Sequence, residues 1–197
     1  MIENYVRYLT FLDIELKKFF ESQKPYIKCK KGCAECCKNA MFPYSALEMR
    51  YLMEGLVKLD SEIQDKISLK IKAILEEKKK FNGKKFHYDC PFLIDDVCSV
   101  YEYRGILCRA FGLMTYMKDG KVKAPFCAFN GLSYSNVVDA ETGQVSPEKY
   151  VALGRPQEPL AFNVDYVFLT DNNTETAFDI KFGDKKPLIE WFEKQEN

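Results

Sequence analysis

Apolar side chains near the start of the chain recur at helical spacing. Tyr5, Leu9, Leu12, Leu16 and Phe19 step by four and three, and Arg7, Thr10, Lys17 and Glu21 fall between them. The pattern predicts a helix with one buried stripe, ended by Pro25. Beyond Pro43, Ser45-Ala46-Leu47-Glu48 reads as a capping box, and Leu47, Tyr51, Leu52, Leu56 and Leu59 carry a second helix to about residue 59. A third starts at Asp60 or Ser61 and buries Ile63, Ile67, Ile71, Ile74 and Leu75; its charged end, Glu76 to Lys80, reads as a solvated terminus with cations near the negative end of the dipole. Asn82-Gly83 is a turn, and the stretch from there to Cys98, interrupted by Pro91 and Asp95-Asp96, reads as a loop with short extended pieces. Ser99 caps a short predicted helix through Cys108. Residues 113–117 and Val122 form a hairpin across Lys118-Asp119-Gly120-Lys121, residues 164–170 a strand, and 171–174 a polar loop. Pro147 after Ser146 and Pro187 before Leu188 start two further helices.

At 197 residues and 47% hydrophobic content, such a chain buries roughly 70% of its extended surface on folding, so no covalent staples are needed. The length predicts a single domain over residues 1–197. Lys plus Arg equals Asp plus Glu at 29 each, so no net field draws the chain to nucleic acid or anionic lipid. No run reaches the ~18–20 apolar residues that span a bilayer, and Glu3 and Asp13 interrupt the N-terminal apolar pattern, unlike a secretion signal. A cytoplasmic, reducing setting is expected, where clustered cysteines bind metal rather than pair covalently.

Cysteine usage changes the picture most. Four of the eight cysteines, Cys29, Cys33, Cys36 and Cys37, fall in the order C-x3-C-x2-C-C; Cys90, Cys98 and Cys108 follow, and Cys127 comes last. The early group lies in a stretch too rich in Cys, Lys and Gly for regular structure, which predicts a knuckle-like loop. A zinc ion takes four N or S donors and a 4Fe–4S cluster about one thiolate per iron. All eight cysteines are therefore candidate ligands, enough for two sites or for one with thiols to spare. Adjacent side chains such as Cys36 and Cys37 seldom reach one ion without strain, whereas a cluster can take one and leave its neighbour beside it. Lys28, Lys30, Lys31 and Lys38 flank the loop; their charge is expected to lower thiol pKa values, with ordinary loop solubility as the alternative. On the expected helix Tyr101, Arg104 and Cys108 share a face, so Arg104 or Arg109 can donate to a metal-bound sulfur. His87 is the single histidine and a further candidate ligand or proton carrier.

In Cys29-Lys30-Lys31-Gly32-Cys33-Ala34-Glu35-Cys36-Cys37, Cys90-Pro91-Phe92-Leu93, Cys98-Ser99-Val100-Tyr101-Glu102-Tyr103-Arg104 and Cys108-Arg109-Ala110-Phe111, the chain resembles the YkgJ family of cysteine-cluster proteins. Their zinc- or iron-chelating domain also occurs in the flagellin lysine-N-methylase FliB. The resemblance covers a motif core of residues 29–111; the C-terminal extension, 128–197, lies outside it. Family members usually carry Arg-Pro where this chain has Arg104-Gly105, so the rigid start that proline gives the segment delivering Cys108 is missing. The resemblance implies a bound metal, chiefly iron–sulfur, in a cytoplasmic protein.

The fold expected is α+β and predominantly helical, with helices around a cysteine-lined metal site and a small β-hairpin element. The function expected is a metal-binding protein holding a 4Fe–4S cluster, with zinc as the alternative and a protein substrate or redox partner. Two other functions compete. One is a protein lysine N-methyltransferase-like enzyme, for which no glycine-rich cofactor loop and no acid–base pair is visible; the other is a structural zinc module for protein interaction. The C-x3-C-x2-C spacing also occurs in radical S-adenosylmethionine enzymes. Glu35 in place of their usual aromatic residue, Cys37 directly after Cys36, and the absence of alternating strand–helix repeats oppose that reading.

Overall fold

The computed structural model describes residues 1–30, 32–117, 119–154 and 158–193. In chain order the regular elements are α1 (Ile2–Ser22), β1 (Pro43–Ser45), α2 (Ala46–Leu56), α3 (Ser61–Lys80), β2 (Leu93–Ile94), β3 (Val97–Cys98), α4 (Ile106–Ala110), β4 (Met114–Tyr116), β5 (Val122–Lys123), α5 (Pro147–Ala152), β6 (Ala161–Phe162), α6 (Tyr166–Leu169), α7 (Asn172–Phe178) and β7 (Lys185–Pro187). Single 3-10 turns occupy Tyr101–Tyr103, Phe126–Asn130 and Leu188–Phe192. The fold is α+β, predominantly helical, with small β-hairpin elements. No helix of the described residues is long and apolar enough to cross a membrane.

Two compact units divide the chain. The first draws its described residues from 1–2, 32–108 and 180–197. The capping box at its centre is fully formed: the Ser45 side chain accepts the Glu48 amide, and the Glu48 carboxylate accepts the Ser45 amide at 2.9 Å. With its first amides satisfied, α2 starts at Ala46. Tyr44, Met49 and Leu52 then pack with Ile67 of α3, Phe92, Val100 and Leu188 in one buried cluster. Ile67 and Ile74 are the buried residues of α3, and Lys78, Lys79 and Lys80 close it at the negative end of its dipole, where cations are favoured. β1 pairs antiparallel with β7, Tyr44 opposite Lys186. β2 and β3 form a tight antiparallel hairpin whose two turn residues, Asp95 and Asp96, both take positive φ, as a type I′ turn demands.

The second unit comprises the described residues within 3–31 and 109–179. Tyr5, Leu9, Leu12 and Leu16 are the buried stripe of α1 as the spacing predicts, and Phe19 stacks on Phe162 at 4.2 Å between ring centroids. β4 lies between β5, antiparallel, and β6, parallel. The hairpin predicted around Asp119-Gly120 therefore forms, with Thr115 opposite Lys123; its Lys118 lies outside the described residues. Tyr26, Met114, Ala124, Ala128, Tyr134, Val137 and Val138 make this unit's buried cluster.

Three local expectations are corrected. Residues 164–170 hold the short helix α6 instead of a strand, because the Asp165 side chain caps it by accepting the Val167 amide. Asp171 likewise caps α7 by accepting the Thr174 amide, which turns the expected polar loop helical. The single helix expected over residues 99–108 is broken into a 3-10 turn and α4. Ser99 does not cap it; its hydroxyl donates to the Phe92 carbonyl at 2.9 Å.

Candidate metal centre

Four short segments deliver thiols within the first unit. Ala34 starts a single turn, its carbonyl accepting the amides of Cys37 and Lys38 at 2.8 and 3.0 Å. Cys36 and Cys37 thereby emerge side by side, sulfurs 3.8 Å apart. The Cys37 carbonyl accepts the Cys90 amide at 2.7 Å, and the Tyr88 carbonyl accepts the Ala40 amide at 2.9 Å. This two-bond ladder lays residues 88–90 along residues 37–40. Lys70 of α3 fixes the turn that follows, donating to the carbonyls of Cys90 and Leu93 at 3.3 and 2.5 Å. Cys98 stands opposite Leu93 at the open end of the hairpin.

Cys108 arrives on α4, whose first amide, on Ile106, is held by the Glu48 carboxylate at 2.9 Å. Glu48 is buried and also accepts the Ser45 hydroxyl at 2.8 Å. The missing proline has a structural counterpart here. Gly105 donates its amide to the Tyr44 hydroxyl at 3.3 Å, a bond that proline has no hydrogen to make. A Cβ on Gly105 would meet the Tyr44 ring at 2.6 Å, so the tyrosine fills the space a larger residue would need.

The three late sulfurs each have a hydrogen-bond partner. Cys90 accepts from the Phe92 amide, Cys98 from the Val100 amide and Cys108 from the Tyr44 hydroxyl at 3.2 Å. Arg104, its guanidinium 3.8 Å over the Tyr101 ring and bonded to the Tyr101 carbonyl, favours the thiolates of Cys36 and Cys98. The titration behaviour follows. The S–H of Cys37 donates to Cys36 and holds the latter down, to about 7, while the same bond and burial push Cys37 far up. Burial raises Cys90 and Cys98, and Cys108 to about 12. Neighbouring sulfurs add to the rise: Cys36, Cys90 and Cys108 at Cys37, Cys108 and Cys98 at Cys90, Cys36 at Cys98, and Cys36 and Cys98 at Cys108.

The remaining predicted site residues are placed as follows. Cys33 is half-buried in the same unit. Cys29 and Cys127 belong to the second unit, Cys29 exposed with its sulfur 3.6 Å from the Ser133 hydroxyl and Cys127 buried. Burial raises the Tyr134 hydroxyl of the same unit to about 12, and the charges of Cys127 and Cys29 add to that rise. Arg109 is buried and paired with Asp13. His87 is exposed, and Lys31 lies outside the described residues. Tyr44, Glu48 and Lys70 hold the thiol segments, and no motif in the sequence marks them; only the Glu48 position in the capping box hints at a buried role.

The donor chemistry suits a thiophilic metal: all eight cysteines are free, and the 3.8 Å between Cys36 and Cys37 equals the edge of a tetrahedron with metal–sulfur bonds of ~2.3 Å. Among the described residues, however, no three Cys, His, Asp or Glu side chains stand at metal-holding geometry. The cysteine-lined metal site expected from the sequence is therefore not seen as a cluster among the described residues.

A family model described as "CxxCxxCC: Putative zinc- or iron-chelating domain" matches residues 28–128, about half the chain. The chain belongs to this family. In this CxxCxxCC protein the first interval, Cys29 to Cys33, is one residue longer than the family's name spells. No curated protein and no solved structure matches the chain.

Proposed function

We propose that this protein holds an iron–sulfur cluster on the thiols of its first unit, with Cys36, Cys90, Cys98 and Cys108 as ligands and Cys37 beside them. The observation that carries the reading is that hydrogen-bonded backbone from four segments brings these thiols into one unit: Cys36 and Cys37 stand 3.8 Å apart, the Cys37 carbonyl accepts the Cys90 amide at 2.7 Å, Cys98 pairs across the hairpin with Leu93, and Glu48 holds the start of the helix that carries Cys108. The hydrogen-bond partners of the three late sulfurs offset the charge of metal-bound thiolates. Cys33 is the spare donor in the same unit, and Cys29 and Cys127, which belong to the second unit, are left out of the site. An iron–sulfur cluster supplies one-electron transfer. The chain's own contribution is to hold the thiolates, with Arg104 supplying positive charge and Tyr44 a proton donor at Cys108. Free thiols throughout fit a reducing compartment such as the cytoplasm.

Zinc is the second reading, favoured by the 3.8 Å spacing of Cys36 and Cys37. Elemental analysis with electron paramagnetic resonance on anaerobically purified protein separates the two. Iron with acid-labile sulfide supports the cluster, stoichiometric zinc in a colourless protein replaces it, and a metal-free protein that takes up neither refutes both.

A further inference from the structure

The first unit contains a cavity of about 430 Å³ between the end of α3, the loop after it and the β7 segment. That volume falls within the range of small-molecule sites, roughly 300–1,000 Å³, and a lone inorganic ion would leave it mostly water.

Its wall combines rings with unspent charge. Phe81 is tilted against Phe86 at 5.3 Å and 55°, and Phe86 stacks on Tyr88 at 5.6 Å and 26°. Phe81 leaves 41% of its surface exposed at the rim. Lys78 is occupied by Glu190 and Glu193 at 2.8 and 2.7 Å, which also neutralises Glu190 in the wall. The side chains of Lys84 and Lys85, by contrast, make no hydrogen bond or ion pair among the described residues. The Tyr88 hydroxyl accepts the Ile189 amide at 3.2 Å, which leaves its own hydrogen to donate. Stacking surface, surplus positive charge and a fixed hydroxyl donor together select a ligand with a flat ring and a negative group.

We propose that this cavity binds a planar aromatic anion, with its ring against Phe81 and Phe86 and its charge held by Lys84 and Lys85. Mononucleotides and aromatic sulfonates or carboxylates share this chemistry. The site would lie one side chain from the thiols, since Tyr88 and Ile189 share a buried cluster against which Cys90 packs. Binding does not depend on what the thiols hold.

The test is titration of the full-length protein with two probes, 1-anilinonaphthalene-8-sulfonate by fluorescence and adenosine monophosphate by competition against it, with metal content measured on the same sample. Saturable one-to-one binding is expected, weakened about tenfold or more in the double variant Lys84→Glu, Lys85→Glu and weakened also in Phe81→Ala, with circular dichroism and metal content unchanged because all three positions are exposed. Adenosine and inorganic phosphate should each compete less well than adenosine monophosphate. No saturable binding of the sulfonate at millimolar concentration, or binding unaltered by the lysine reversals, overturns the proposal. Loss of metal with binding intact would instead count only against the function proposed above.

Discussion

Tyr44 shows how much one hydroxyl decides. The Gly105 amide donates into its oxygen at 3.3 Å, and the same hydroxyl shares a hydrogen bond with the Cys108 sulfur at 3.2 Å. Tyr44→Phe strands the Gly105 amide and strips the sulfur of its donor; unfolding of the metal-free protein in urea should show a loss of about 1–3 kcal/mol. Cys37 plays the matching part for Cys36. Replacing Cys37 by Ala removes the first cause of the lowered Cys36 pKa, so the pH profile of Cys36 alkylation, followed by mass spectrometry, should move from a midpoint of about 7 toward the ordinary thiol range; an unmoved profile would contradict the shared-proton geometry. Neither role was legible in the sequence. A tyrosine ahead of a capping box carries no sign of which way its hydroxyl points, whereas the thiols themselves were visible because their crowding is a property of the chain.

At the scale of elements, local chemistry was read correctly where a side chain caps its own helix in a recognised pattern, as at Ser45–Glu48 and Ser146–Pro147. It was misread where a single Asp outweighed β-prone residues, as in α6, whose Tyr-Val-Phe-Leu sequence favours strands. The break over residues 99–108 had a visible cause in Gly105, yet its reason is tertiary: the glycine admits the Tyr44 ring and the Glu48 carboxylate. Gly105→Ala should therefore destabilise the protein by about 1–3 kcal/mol through overpacking, read as a lower urea midpoint at unchanged slope. A neutral result would mean that α4 is free to shift, and with it Cys108.

For the whole molecule, the buried thiols set a pH dependence. Burial raises Cys90, Cys98 and Cys108 above the ordinary 9.0. A group with a raised folded pKa stabilises the fold fully below its unfolded pKa and loses that contribution as pH climbs to the folded value. The melting temperature of the reduced, metal-free protein should fall from about pH 9 upward, across the window from 9.0 to about 12 for Cys108. A metal must displace the same protons, so its affinity should rise with pH through neutrality, with measurable proton release on loading. The α+β class could be read in advance; the division of cysteines between two units could not, because only the folded chain assigns Cys29 and Cys127 to the second unit and the other six to the first.

The most direct test of the central claim is X-ray absorption at the metal edge of anaerobically purified protein. The account predicts a bound metal whose nearest neighbours are sulfur alone, lost when Cys90 or Cys108 is replaced by serine. A shell dominated by nitrogen or oxygen, or a sulfur shell that survives both replacements, would contradict it.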